Sequence, residues 1–254
     1  MKAHPHSVLF ASYSLQRGHR LLLVADEVNN LTEASPELGP AERLRERILS
    51  TRGRLAIIAG AFVIWIMDVV FSRFLIIRGT ISGVDADHAR LVENIGTAIF
   101  VVTIIVLIIA VVRGSREAMF RIIAVYLTFS VIQVIFSVIT MVSSVTARKG
   151  FGLGSLWDVA AMYALSVTVF TFVYVYLDVV TPKGAFIWPA REGETPPTPN
   201  IADYIFISLN VNSTYGPTSE VVMSRPTKLI MGLQVLLSIL MLTVLIARAV
   251  SATS

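Results

Sequence analysis

The sequence predicts an all-α integral membrane protein with about five transmembrane helices and one re-entrant helix and loop before the last of them. Apolar residues make up 55% of the chain and charged residues only 15%, whereas a soluble domain carries roughly a quarter charged residues. The apolar residues also lie in long blocks that can cross a bilayer as helices. A polar turn precedes the last block. Irregular backbone is tolerated at membrane depth only where protein or a water-filled cavity provides hydrogen-bond partners for its polar groups, so this turn is interpreted as a re-entrant loop.

The composition and the absence of known motifs exclude several kinds of chemistry. The chain has no cysteine, which excludes disulfides, cysteine-bound zinc, iron–sulfur clusters and thiol catalysis. Its four histidines are scattered, and it contains no phosphate-binding loop and no HExxH motif. We therefore expect no enzyme activity, no cofactor and no metal site. The net charge of +4 is typical of arginine-rich flanks beside lipid headgroups, so we expect the lipid bilayer, and no nucleic acid, as a partner.

Residues 1–54 are predicted to form a soluble N-terminal arm. The apolar patch at 21–24 is too short for a signal peptide. After Pro40, an amphipathic helix is predicted, in which Leu44, Ile48 and Leu49 share one face among arginines. The simpler interpretation is a helix lying on headgroups that leads into the first span, and the alternative is a regulatory or partner-binding helix.

Residues 55–180 are predicted to form a four-helix transmembrane region. The first span, 55–77, contains Asp68 and Arg73. An ionisable group at this depth is costly, so Asp68 is a functional-site hypothesis by default. The two side chains point about 140° apart on a helix, so Arg73 is expected to reach the interface. Asp68 then needs a partner on another helix, either for a structural hydrogen bond or for ion or proton movement.

The other three spans are predicted at 95–112, 122–145 and 156–180. Gln133 is the strongly polar residue inside the third span, and such residues usually join helices by hydrogen bonds. The arginines at 113, 116 and 121 lie in a loop and at its margin, which excludes a voltage-sensor pattern.

Polar and aromatic residues near the ends of the fourth span suggest contact with water and headgroups. Asp158 and Asp178 are expected to remain solvated and to have structural roles. Tyr174 and Tyr176 are expected at a membrane interface, as is Trp188 in the linker after this span.

The remaining residues are predicted to form a linker and a pore-like segment. Residues 181–200 are rich in proline and glycine and form the linker. Residues 201–254 comprise a short half-apolar helix, a polar turn and a final apolar run.

The order of parts in 201–254 resembles the pore module of the potassium-channel superfamily, in which a pore helix leads into a filter and then an inner helix. The filter-like loop consists of Asn212, Ser213, Thr214, Tyr215, Gly216 and Pro217. The aromatic and apolar entry at 204–209 and the ending at 244–248 also resemble bacterial two-helix pore domains. The whole chain resembles bacterial multi-span membrane proteins that end in such a degenerate pore segment.

The resemblance implies an ion-channel-like protein of the bacterial plasma membrane that conducts monovalent cations as a homo-tetramer. The loop departs from the family pattern, because Thr214 stands where the family has its first filter glycine and Pro217 replaces an acidic residue. We therefore expect weak or altered selectivity. Two alternatives remain: a non-conducting accessory or structural membrane protein, and a proton-coupled secondary transporter that uses Asp68 and Gln133. Transporters usually show paired repeats, which this sequence lacks.

The predicted topology and the charge distribution disagree about orientation. A potassium-channel-like pore places the N-terminal arm outside and the C-terminus inside. More lysines and arginines lie on the side of the N-terminal arm than on the other side, and positive charge favours the cytoplasm. The residues on the arm's side are Arg43, Arg45, Arg47, Arg52, Arg54, Arg113, Arg116, Arg121, Lys183 and Arg191.

Overall fold

The computed structural model describes residues 38–77, 84–147, 154–190, 192–213 and 221–251. Within these residues the chain forms seven helices and one pair of two-residue strands. The helices are α1 (Pro40–Leu49), α2 (Thr51–Ile77), α3 (Val84–Val112), α4 (Arg116–Ala147), α5 (Gly154–Val180), α6 (Ile201–Asn212) and α7 (Arg225–Ser251), and the strands are β1 (Phe186–Ile187) and β2 (Val221–Val222).

Five of these helices are long and apolar enough to cross a membrane, which confirms the all-α class and the five predicted spans. The candidate spans are Thr51–Phe71, Asn94–Val112, Arg116–Ser143, Trp157–Val180 and Arg225–Ala247. The chain is therefore a multi-span helical membrane protein by length and composition. The third span begins earlier than predicted because the backbone carbonyl of Ser115 already accepts a hydrogen bond from the Met119 N–H at 3.1 Å.

Helix α5 lies at the centre of the helices that the structure describes. It packs against α2, α4, α6 and α7, and it also contacts α1. Of its most apolar stretch 56% is buried, against 22–33% in the other four spans. The other spans thus leave most of their apolar surface for lipid, whereas α5 supplies the surface on which the remaining elements assemble.

Successive spans run in alternating directions. Trp65 of α2 lies beside Thr97 of α3, with 3.3 Å between the indole nitrogen and the hydroxyl. The Tyr126 hydroxyl of α4 donates to the backbone carbonyl of Ala61 on α2 at 3.0 Å, and seven residues further along both helices Gln133 bonds to Asp68, so α2 and α4 run in the same direction. One end of the bundle therefore collects the start of α2 and the connector 113–115. The end of α5 lies there too, because Gly184, which follows it, is close to Ala41 of α1. We call this end the α1 end.

Helix α1 packs on protein through its apolar face. Ala41 and Leu44 are buried, and the Arg43 side chain donates to the Thr198 hydroxyl at 3.0 Å and to the Pro196 carbonyl. The helix starts at Pro40 because Glu42 accepts a hydrogen bond from the backbone N–H of Gly39. Contacts with the linker 181–200 thus replace part of the headgroup contact that the simpler interpretation expected.

Candidate functional site

The candidate site is the segment between the end of α5 and the start of α7, and its anchor is the Asp178 carboxylate. Oδ1 accepts hydrogen bonds from the backbone N–H groups of Ala185 at 2.6 Å and Phe186 at 3.1 Å. Oδ2 accepts from the Trp188 indole at 3.2 Å and from the Tyr204 hydroxyl at 2.6 Å. A carboxylate can be buried when donors replace its water in this way. Asp178 therefore ties the end of α5 to the linker and to α6.

Four expectations are wrong, two about the carboxylates near the two ends of α5 and two about the rings of Tyr174 and Trp188. Asp178 is fully buried and Asp158 is 1% exposed, so neither remains solvated. Tyr174 is also fully buried, and Trp188 is 6% exposed, so protein surrounds both rings. The physical reason at Asp178 is that the chain after Val180 folds back over the carboxylate, which a span read on its own cannot reveal.

The fold-back requires a glycine. Gly184 has a φ of 89°, which side chains other than glycine rarely adopt. A Cβ there would lie 2.9 Å from the Cβ of Ala41 and 3.0 Å from Asp178 Oδ1. The turn therefore brings α1 and the carboxylate together at the same point.

Helix α6 begins with a side-chain cap. The Asn200 side chain accepts a hydrogen bond from the Ala202 N–H at 2.8 Å, and Asp203 accepts one from the Asn200 N–H at 2.7 Å. Next along the helix, Tyr204 reaches Asp178. Burial, and then the negative charge of Asp178, raises the pKa of the Tyr204 phenol above its ordinary value, so the hydroxyl remains a donor.

A buried polar network holds α6 between α5 and α7. The Gln234 amide of α7 donates to the Ser208 carbonyl at 3.1 Å and to its hydroxyl at 3.0 Å. Its carbonyl accepts from the Tyr174 hydroxyl of α5 at 2.5 Å. The Ser208 hydroxyl donates to the Val167 carbonyl at 3.0 Å. Gln234, Ser208 and Tyr174 are each fully buried, so three helices share one set of hydrogen bonds.

The last residue of α6 lies deep along both neighbouring spans. Asn212 accepts hydrogen bonds from the Ser166 hydroxyl of α5 at 3.4 Å and, through its backbone carbonyl, from the Ser238 hydroxyl of α7. At 1.5 Å per residue, Ser166 and Ser238 are each about 20 Å along their helices from the α1 end. The first and last turns of α6 are therefore at very different depths.

The two ends of the segment meet at the α1 end. Strands β1 and β2 pair antiparallel, with Phe186 opposite Val222 and Ile187 opposite Val221. Strand β1 follows the end of α5, and β2 precedes the start of α7. The chain therefore leaves α5 and enters α7 at the same end of the bundle, on either side of α6.

The structure describes two residues of the predicted filter-like loop. Asn212 is 1% exposed, and Ser213 caps the end of α6, with its hydroxyl 3.0 Å from the Asn210 carbonyl. The other four, Thr214, Tyr215, Gly216 and Pro217, lie outside the described residues. The side-chain amide nitrogens of Asn210 and Asn212 are buried without a hydrogen-bond partner in the described part of the chain.

The predicted intramembrane polar residues Asp68 and Gln133 are in contact with each other. The Gln133 amide of α4 donates to Asp68 Oδ2 of α2 at 3.0 Å. Gly96 of α3 leaves room for this pair, because a Cβ there would lie 2.6 Å from the Gln133 amide nitrogen and 3.6 Å from Asp68 Oδ2. Each residue was recognisable in the sequence as polar inside a span, but only the fold makes them partners.

Sequence reasoning missed Asp178 as an anchor and Gln234 as the centre of a network. A signal for Gln234 was present, since it is a strongly polar residue within the last apolar run. No group of three or more metal-binding side chains was found among the residues that the structure describes. Comparisons with protein-family models, with curated proteins and with solved structures found no match.

Proposed function

We propose that this protein is a channel-like membrane protein in which α6 acts as a pore helix, with the polar residues after it acting as a pore loop. The supporting observation is the depth of Asn212, which is bonded to Ser166 and Ser238 far along the two flanking spans. Such a short helix that starts at one end of the bundle and stops inside it has the layout of a re-entrant segment.

Electrostatics at the end of α6 favour cations. The carbonyl end of a helix carries a partial negative charge, and the Ser213 hydroxyl adds a polar oxygen atom nearby. The buried network around Gln234 bonds Ser208 of α6 to α5 and α7. The proposed ligand class is a monovalent cation that is coordinated by oxygen atoms after α6.

A single copy of α6 cannot surround an ion path. We therefore propose a homo-oligomer, a tetramer by resemblance, in which the ends of α6 from each copy face a common axis. A bacterial plasma membrane is the proposed location. The alternative role for Asp68 in proton-coupled transport receives less support, because its contact with Gln133 is the inter-helix hydrogen bond that a structural role requires.

Recordings from purified protein in planar bilayers test the proposal. We expect unitary cation currents that fall several-fold in Ser213→Lys, because the added charge lies at the deep end of α6. Ala202→Lys is the matched control, since Ala202 is exposed in the first turn of the same helix. If the folded, reconstituted protein gives no currents, an accessory role is favoured. Substrate-saturable flux would favour a transporter.

A further inference from the structure

An apolar cavity lies among helices α1 to α5, separate from the polar segment around α6. Its volume is about 70 Å³. Four residues each from α2, α4 and α5 line it, with two from α3 and Ile48 from α1. Its lining includes no residue from α6 or α7, so a ligand in this cavity is independent of the channel proposal.

The cavity lies within the candidate spans, next to the α1 end. On α5 its lining extends from Phe172 to Val179, which is about 10 Å along the helix axis. The lining is almost wholly apolar, and the Tyr126 hydroxyl in its wall is already bonded to the Ala61 carbonyl. Apolar cavities stay dry and take apolar ligands, and the abundant apolar ligand at this depth is a lipid acyl chain.

The positively charged side chain of Arg45 lies beside the cavity. The guanidinium carbon of Arg45 lies 5.9 Å from the ring centroid of Phe120, which is one of the lining residues. Among the described residues, Arg121 is paired with Glu117 at 2.5 Å, whereas no such pair involves Arg45. Arginine binds phosphate through two parallel hydrogen bonds.

We propose that the cavity holds a few methylene groups of one acyl chain of an anionic phospholipid, whose phosphate group pairs with Arg45. Helix α1 contributes to both halves of this site, because Ile48 lines the cavity and Arg45 is exposed three residues earlier. The same helix bonds to the linker before α6 through Arg43, so a bound lipid would stabilise the position of α1 against that linker.

Native mass spectrometry of the purified full-length chain tests this site. The protein would be incubated in detergent with phosphatidylglycerol or with phosphatidylcholine of the same acyl chains. We expect one tightly retained lipid per chain and at least a several-fold preference for phosphatidylglycerol. Equal retention of the two lipids, or none of either, would overturn the proposal. A co-purified fatty acid without a glycerophosphate group would overturn the phospholipid assignment.

Matched variants separate the two halves of the site. Val175→Phe should fill the cavity and abolish retention, whereas Val125→Phe makes the same change on a surface that is 68% exposed and should retain lipid. Arg45→Gln should remove the headgroup preference, and Arg47→Gln on the same helix should keep it. If Val175→Phe fails to fold by circular dichroism and gel filtration, the two arginine variants decide the outcome, and equal behaviour of these two would contradict the proposal.

Discussion

The Tyr204 hydroxyl donates a hydrogen bond of 2.6 Å to the Asp178 carboxylate, and both side chains are fully buried. This contact joins the end of α5 to the first turn of α6. Because Asp178 also accepts from two backbone N–H groups of the linker, one carboxylate determines where α6 enters the bundle.

Removing the Tyr204 hydroxyl tests its hydrogen bond to Asp178. Tyr204→Phe should lower the free energy of unfolding by about 1.5–3 kcal/mol, the value of a hydrogen bond to a charged group. Asp178→Asn should cost more, because either orientation of the amide places its NH₂ group against at least one group that can only donate, the two backbone N–H groups or the Trp188 indole. Denaturant unfolding in micelles measures both changes. Tyr163→Phe, on the same helix as Asp178 but far from it, is the control, and an equal loss in that variant would contradict the anchor.

A side chain at position 96 can fill the space that Gly96 leaves beside the Asp68–Gln133 pair. Gly96→Ala should displace the Gln133 amide from Asp68, since the new Cβ would lie 2.6 Å from its nitrogen. A double-mutant cycle between Asp68→Leu and Gln133→Leu should give a coupling of about 1 kcal/mol in the natural background. That coupling should vanish with Gly96→Ala. Gly232→Ala is the control, because a Cβ there meets nothing within 4 Å.

Asp68→Asn separates a structural role from a charge-dependent one. The amide oxygen still accepts from Gln133, so assembly and activity should persist if the residue only ties α2 to α4. Activity that falls while folding survives would show that the charge is used. Gel filtration and bilayer recordings of the same preparation provide the two readouts.

The network around Gln234 should be worth more than a single inter-helix bond. Gln234→Leu leaves the Tyr174 hydroxyl unpaired in the interior and removes two hydrogen bonds to Ser208, which should cost at least about 2 kcal/mol. Gln133→Leu is a matched control that loses one described bond in a half-buried setting. Thermal unfolding compares them, and an equal or smaller loss in Gln234→Leu would contradict the role of the network.

Ion selectivity tests the filter-like loop. Potassium filters use backbone carbonyls and glycines in conformations that a β-branched residue such as Thr214 adopts at a cost. We expect bi-ionic reversal potentials to show weak discrimination between potassium and sodium. The Thr214→Gly, Pro217→Asp double variant should gain potassium preference. Strong preference in the natural protein would overturn this expectation.

The α1 end should lie on one side of the membrane. The chain has no natural cysteine, so single cysteines at Ser50, Ser115 and Gly193 can be labelled without background. All three should react together with an impermeant maleimide, and under the channel proposal they react from outside the cell. A reporter fused to the C-terminus should then be active inside, and an external C-terminus would contradict the channel orientation.

The sequence by itself determined the class of this protein and the location of its spans. Apolar blocks separated by polar connectors determine these features locally, because each span must satisfy its own backbone hydrogen bonds in lipid. Asp68 and Gln133 were also identifiable, since polar residues inside an apolar block are costly wherever their partners lie.

Only the tertiary structure decided which polar groups meet. Asp178 and Tyr174 look like interfacial residues when α5 is read alone, and they are buried because the linker and α6 fold back onto that helix. Gln234 bonds to residues 26 and 60 positions away in the chain, a separation that helical periodicity does not encode. The bounds of the spans depend on local composition, whereas the position of α6 depends on long-range hydrogen bonds that exist only after the helices have packed.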